Sequence, residues 1–377
     1  MMAIALNGKI LESLEPAGPE YFTYNLYRTL FKDFKDQDFL LYYRDLKKDS
    51  LLDKLHTDFP YVKFTQIQSS LSWTHNGLSR QLFKDSPEFY FSPEHTVPVI
   101  YPKNTKVVIM VHGLEIKSNK QFSKISFRFL LQWNLLKYAC NTARLIVVPS
   151  EYTKEQILNA GLVSSSNNIR VIHEGVSDDF RKNYDIQQKQ KIKDTYGIKN
   201  NYLLFVSTLQ PRKNVVGLIR AFSLARKNSK KVEEINLVLV GKKGWNYEDI
   251  FESIKKENLS ESVIYLGWIP QENLPLLFAS AKGFVNFSFE EGFSLTLLEA
   301  MTSKIPCAVS SIPPHKQLGK DSVFYANPTD TKGMSEAIIK LVEESTESMT
   351  EKGAVYAQGY TWFDSAKKLI DYIHKIN

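Results

Sequence analysis

The sequence predicts an α/β chain of two parallel-sheet units, and three observations carry that prediction. Short apolar runs alternate with helical patterns along all 377 residues, as happens when strands of a parallel sheet are covered by helices. A polar stretch at 177–200 (SDDFRKNYDIQQKQKIKDTYGIKN) breaks the alternation once, with the composition of a connector and a short helix. Beyond it the alternation restarts, so the two halves share one character. Two Rossmann-like units facing one another are expected, with a ligand between them at the carboxyl ends of the strands. The boundaries expected are a first unit over 1–178, a linker over 179–200, a second unit over 201–358 and a terminal helix over 359–377.

The first unit opens with the apolar run AIAL at 3–6. Pro16-Ala-Gly-Pro-Glu20 leads into a helix with Phe22, Leu26 and Leu30 on one face, and Pro19, after Gly18, suits its first turn. Strands are predicted at 39–43, 61–64, 107–111, 145–148 and 169–172. Ser150 is placed to cap the helix running through Leu158. In the second unit, strands are predicted at 202–206, 237–240, 263–266, 284–287 and 307–309. Asn214 reads as the N-cap of a helix on which Val215, Leu218, Ile219 and Phe222 recur at helical spacing.

Composition narrows the classes. The chain is 43% hydrophobic and 24% charged, a soluble globular balance. No run approaches the roughly 18 apolar residues of a membrane span. The start, MMAIALNGKI, shows no secretory signal. Cys140 and Cys307 stand far apart and suggest neither a disulfide framework nor a zinc site. The cytosol is the expected compartment. A net charge of +7 admits an anionic partner. The excess concentrates at 103–144, where eight lysines and arginines face one acid, Glu115. Within it, 121–141 mixes Phe122, Phe127, Trp133 and Leu136 with basic residues. An interfacial helix on anionic lipid has this pattern, and so does a buried helix with snorkelling basic ends.

The stretch most suited to chemistry is SFEEGFSLTLLEAM at 288–301. A strand ends there, Gly292 permits a tight turn, and a helix follows with Leu295, Leu298 and Met301 on its packing side. Ser294 or Thr296 can cap its amides. Such a turn aims unpaired N–H groups and a helix dipole at one point, which suits a phosphate. Glu291 and Glu299 frame the turn as E-x7-E, and a solvated surface pair is the competing reading. Arg212 and Lys213 sit just before another helix N-terminus. Positive charge is unfavourable there, and an anion bound between them would relieve the conflict.

Four ordered motifs of the second half resemble the nucleotide-sugar domain of retaining glycosyltransferases of family 4, which have the GT-B architecture. They are STLQPRKN, LVGKKGW, VIYLGWIPQENLPLLFASAKGFVNFSFEEGFSLTLLEAM and IPCAVSSIPPHKQLGKDSVFYANPTD. The resemblance implies that Glu291 contacts the donor sugar and Glu299 the ribose hydroxyls. It implies that Arg212 and Lys213 hold the donor diphosphate, faced by the backbone of Gly292, Phe293, Ser294 and Leu295. Many members carry arginine where Thr208 stands, so Arg212 must supply that charge, as in a PRKN subgroup often mannosyl-transferring. Lys242, Lys243, Gly244 and Trp245 can flank the base, or form a solvated loop. In the first half, VIMVHGLE resembles the strand and loop whose histidine, here His112, approaches the sugar. Gly113 stands where aspartate is common, and Ala17-Gly18-Pro19 keeps one glycine of a glycine-rich loop. The terminal helix, in the family, crosses back onto the first domain. His75, His173 and His315 read as core or surface histidines, and Glu174 and Gly175 as structural.

What the resemblance implies is transfer of a hexose, mannose favoured, from a nucleoside-diphosphate sugar to a hydroxyl of a glycan or lipid-linked acceptor, with retention. GDP-mannose is the favoured donor and UDP- or ADP-sugars the alternatives. No cofactor and no metal are expected, since no aspartate-rich metal motif is present. Peripheral contact with the inner face of an anionic membrane is an open expectation. The rival readings are an inactive binding or assembly subunit of the same fold, and nucleic-acid binding through the basic segment, for which no recognisable motif exists.

Overall fold

A computed structural model describes residues 3–69, 71–114 and 127–376. The chain divides into two compact units, 1–175 with 361–377, and 176–360.

The first unit is built on a parallel sheet in the order β3-β2-β1-β4-β5-β6-β7. Its strands are β1 (Ala3–Asn7), β2 (Asp38–Tyr43), β3 (Lys63–Gln66), β4 (Phe89–Ser92), β5 (Lys106–Met110), β6 (Leu145–Val148) and β7 (Ile169–Val171). Leu6 pairs with Leu41 on one side and Phe91 on the other. β4 was not predicted. Its four residues, FYFS, are all buried, so no period-2 alternation marks them, and the run is too short to announce itself otherwise.

The helix Gly18–Asp33 turns Phe22, Leu26 and Leu30 into the core as its spacing requires. The Ser150 hydroxyl accepts the Thr153 amide at 3.1 Å and caps the helix Glu151–Asn159. The terminal helix Trp362–His374 buries Leu369, Ile370 and Ile373 in the first unit's core, against the helix Gly18–Asp33. Gly175 admits the start of that helix: a Cβ there would lie 2.3 Å from the Trp362 amide nitrogen. The helix Phe127–Thr142 covers the other face and buries Leu136 and Cys140. Glu115, Lys117, Lys120 and Lys124 lie outside the described residues.

The second unit has a parallel sheet in the order β10-β9-β8-β11-β12-β13. Its strands are β8 (Tyr202–Val206), β9 (Asn236–Val240), β10 (Val263–Gly267), β11 (Gly283–Asn286), β12 (Cys307–Ser310) and β13 (Phe324–Ala326). β13, a three-residue edge strand, was not predicted. The order reverses direction between β8 and β11, and a doubly wound sheet opens a crevice at such a reversal, outside the strands' carboxyl ends.

The stretch read as a linker belongs to this second unit. It forms the 3-10 turn Asp178–Arg181 and the helix Ile186–Thr195. Phe180, Ile192 and Ile198 drop into the core beside Tyr202 and Phe278. The rest of the stretch is largely exposed, which explains its polar composition.

Candidate active site

The loops that leave β8 and β11 meet at the reversal point, and backbone contacts join them. The Phe289 amide donates to the Arg212 carbonyl at 2.9 Å. The Asn214 side-chain amide donates to the carbonyls of Phe287 at 3.0 Å and Pro328 at 2.7 Å. Asn214 does precede the helix Val215–Asn228, but in the left-handed region, with φ 53°, and its side chain caps nothing. It is a clamp between loops instead. A third loop, after β9, is laced to the first: Leu209 donates to the Lys242 carbonyl at 2.9 Å and Gly244 to the Leu209 carbonyl at 2.8 Å. Gly241 has φ +136°, and a Cβ there would lie 2.0 Å from the Ser207 carbonyl oxygen.

Arg212, Lys213 and Glu291 converge in this crevice. The Lys213 Nζ donates to both Glu291 carboxylate oxygens, at 2.8 and 2.7 Å. The Arg212 guanidinium lies 3.3 Å from Glu291 Oε2 and donates to the Glu290 carbonyl at 2.7 Å. The Ser288 hydroxyl oxygen lies 2.7 Å from Glu291 Oε1 and 2.6 Å from Asn286 Oδ1, with one proton to share between them. Glu291 and Arg212 are 6% and 7% exposed and Glu299 4%, which excludes a solvated glutamate pair. Burial alone would raise the Glu291 pKa, but Lys213, then Arg212, then His315 outweigh it and hold the carboxyl far below the ordinary range. The conflict of cations before a helix N-terminus is thus answered by a carboxylate of the chain itself. Two cations against one carboxylate leave these three groups with net positive charge.

Around them, Ser294 precedes the helix Leu295–Thr302 with φ 88° and no capping bond from its side chain. For a non-glycine residue this conformation costs roughly 1–2 kcal/mol. Its hydroxyl lies 3.1 Å from His315 Nε2. His315 is fully buried, and its Nδ1 is 3.1 Å from the Ser310 carbonyl oxygen. Burial lowers its pKa to about 4, against the opposing pull of Glu291. Of the two positions expected of His315, core or surface, it takes the core, and its link to the 291–294 turn was missed.

The other predicted residues divide by unit. Phe293 is buried, its ring 5.7 Å from that of Tyr360. Gly292, Leu295, Thr208 and Lys242 are partly exposed. Glu299 lies inside the helix, 3.5 Å from the Gln271 side-chain amide. His112 belongs to the first unit. Its Nε2 donates to the Pro93 carbonyl at 3.0 Å, its Nδ1 is 3.7 Å from Glu174, and the Phe22 ring meets it edge-on at 4.8 Å. Glu94, not singled out from sequence, is partly buried near His112, and desolvation raises its pKa. Ser288, Asn286 and His315 were also missed. Only the spacing of Ser288 three residues before Glu291 was there to be seen. Among the described residues, no cluster of three or more histidine, cysteine, aspartate or glutamate side chains is arranged to hold a metal.

Comparison with known proteins bears on the family and the fold. Residues 187–357 match the family described as glycosyl transferases group 1, and residues 55–180 match glycosyltransferase family 4. The O-antigen chain mannosyltransferase B of Escherichia coli is 30% identical over 172 residues, 45% of this chain and 45% of that protein. The chain thus spans less than half the length of that relative. The O-antigen chain mannosyltransferase RfbU of Salmonella typhimurium is 27% identical over 281 residues, 73% of this chain and 70% of that one. In fold, the chain matches Anabaena Alr3699/HepE, solved with UDP and glucose, with a TM-score of 0.76 and 18% identity over 99% of this chain and 100% of that one.

Proposed function

This chain belongs to the glycosyltransferases, joining a family 4 segment to a group 1 segment in a GT-B fold, and from that premise we propose that it moves a hexosyl group, with mannose favoured, from a nucleoside-diphosphate sugar to a hydroxyl of a glycan or lipid-linked acceptor. The observation that carries the reading is the buried group of Arg212, Lys213 and Glu291 at the strand-order reversal of the second unit. It combines a surplus of positive charge with an acid in a crevice where such sheets bind ligands. Preference for mannose rests on the mannosyltransferases among the relatives, the two O-antigen chain enzymes described above included, and on the PRKN sequence. UDP- and ADP-sugars are the alternatives.

In this reading the donor diphosphate takes over Arg212 and Lys213 and lies against the backbone of Gly292, Phe293, Ser294 and Leu295. Glu291 is released from its cations toward the sugar, and Glu299 takes the ribose hydroxyls. Lys242 and Thr208 border the nucleotide. The anomeric C–O bond to the diphosphate breaks and a C–O bond to the acceptor oxygen forms on the same face. The acceptor proton passes to the departing diphosphate. Charge building on the leaving oxygens is met by the two cations and the backbone amides, a contribution usually worth about 10²–10³ in rate per donor, without metal or cofactor. His112 is assigned to a sugar hydroxyl. With its Nε2 committed to Pro93, the nitrogen left for that role is Nδ1, which accepts.

The test is a thermal-shift and transfer screen with GDP-mannose, UDP-sugars and ADP-sugars, with the anomeric configuration of the product read by NMR. A shift with one donor class and a retained anomer supports the proposal. Binding of a nucleoside diphosphate without turnover on any donor would leave the fold serving as a binding or assembly subunit.

We also place the chain in the cytoplasm, in peripheral contact with anionic membrane and not with nucleic acid. Leu130 and Leu131 are each 50% exposed on the helix Phe127–Thr142, with Lys137 exposed on the same helix. Among the described residues no helix is long and apolar enough to cross a membrane.

A further inference from the structure

His315 stands in the first turn of the helix Pro313–Gly319, fully buried, and both ring nitrogens have partners. Its Nδ1 faces the Ser310 carbonyl at 3.1 Å and the Ser310 hydroxyl at 3.0 Å. A carbonyl only accepts, so Nδ1 carries the ring proton. The neutral ring, consistent with its lowered pKa, then leaves Nε2 as a bare acceptor. The Ser294 hydroxyl at 3.1 Å must donate to it.

That direction decides what Ser294 does. Serine before a helix ordinarily turns its oxygen onto the helix's first free amides. Here it makes no such bond. Its proton is drawn inward, and its backbone is held in the left-handed region. The bend is the one that joins Glu291 to the helix Leu295–Thr302. We propose that His315 is a positioning residue for an anionic ligand: by accepting the Ser294 proton it fixes the 292–295 bend and keeps its backbone amides facing a nucleoside diphosphate. The inference rests on the reading of this crevice as a donor site. It adds a residue that touches neither donor nor reacting atoms and acts through Ser294.

The test is calorimetric titration of the full chain with GDP, UDP and ADP, using whichever binds the unaltered protein. The variants are His315→Gln, His315→Asn, Ser294→Ala and the double His315→Asn/Ser294→Ala. Glutamine brings an amide oxygen to the place of Nε2, whereas asparagine reaches only the place of Nδ1. Loss of one buried hydrogen-bond partner corresponds to about tenfold to a hundredfold in dissociation constant. The asparagine and alanine variants are expected to weaken binding by that factor and the glutamine variant to recover most of it. The double variant is expected to bind no worse than the weaker single one, because one device is removed twice. Equal affinities for glutamine and asparagine variants, or additive losses in the double variant, would overturn the inference while leaving the donor site intact. Absence of binding of all three nucleotides to the unaltered chain would overturn the site and the inference together.

Discussion

Lys213 and Glu291 form a two-point contact, with Nζ 2.8 and 2.7 Å from the two carboxylate oxygens, that closes the loop after β8 onto the loop after β11. The pair is buried, with side-chain exposures of 11% and 7%. The same contact joins the two loops at the strand-order reversal and brings together the charged groups of the candidate active site.

Removing one member therefore affects stability as well as chemistry. Breaking a buried ion pair by truncating one partner costs up to about 3–5 kcal/mol. Arg212 remains beside the carboxylate when Lys213 is removed, so Lys213→Met falls at the low end. Urea denaturation of Lys213→Met and Glu291→Gln checks this. Losses under about 0.5 kcal/mol, the scale of ordinary surface changes, would contradict the buried pairing.

Stability also carries a pH signature. His315 has a folded pKa of about 4 against an ordinary 6.5, so the unfolded chain binds the proton first. Its contribution is complete above pH 6.5 and is lost as pH falls to 4, by roughly 3 kcal/mol at 1.4 kcal/mol per pKa unit. Glu291 is depressed, so its contribution is complete above pH 4.5 and lost below it. Denaturation of native protein and His315→Gln at pH 7, 5.5 and 4 separates the two. The native chain loses stability between pH 6.5 and 4, and the variant loses markedly less there. Parallel curves would contradict a buried neutral His315.

Gly241→Ala tests the third loop. With φ +136° and the Ser207 carbonyl 2.0 Å from any Cβ, alanine forces the loops after β8 and β9 apart. A stability loss of about 1–3 kcal/mol is expected from a residue forced into a sparsely allowed region, together with weaker nucleoside diphosphate binding. An unchanged melting temperature and unchanged binding would contradict the close approach.

Much of the fold was legible because buried parallel strands are continuous apolar runs, and β6 and β8 were placed residue for residue. β4 and β13 were not, because FYFS and FYA lack the run of Leu, Ile and Val that marks β6 and β8. Within the site, Glu291, Arg212 and Lys213 were legible from residue type and position before a helix. Their partners were not. Asn214 and Ser294 sit where capping residues belong, but positive φ turns their side chains to other work, and backbone sign is not written in a polar side chain. His315 was unreadable for a different reason: its partner is 21 residues away and reached only through the packing of two helix starts.

Membrane contact makes a separate prediction. Sedimentation with vesicles of mixed anionic and neutral lipid should retain the full chain at low salt. Leu130→Ser/Leu131→Ser should lower binding severalfold, while raised salt weakens it further. Equal binding to purely neutral vesicles, or none to anionic ones, would contradict the proposed contact.

Whether the two cations before Asn214 hold a diphosphate is tested by calorimetry of nucleoside diphosphates on the full chain against Lys213→Met at pH 7. One binding site is expected in the native chain, and an affinity at least about tenfold weaker in a variant that still melts cooperatively, the scale of one lost charge-assisted hydrogen bond. Equal affinity in both proteins, or no binding to the native chain, would contradict it.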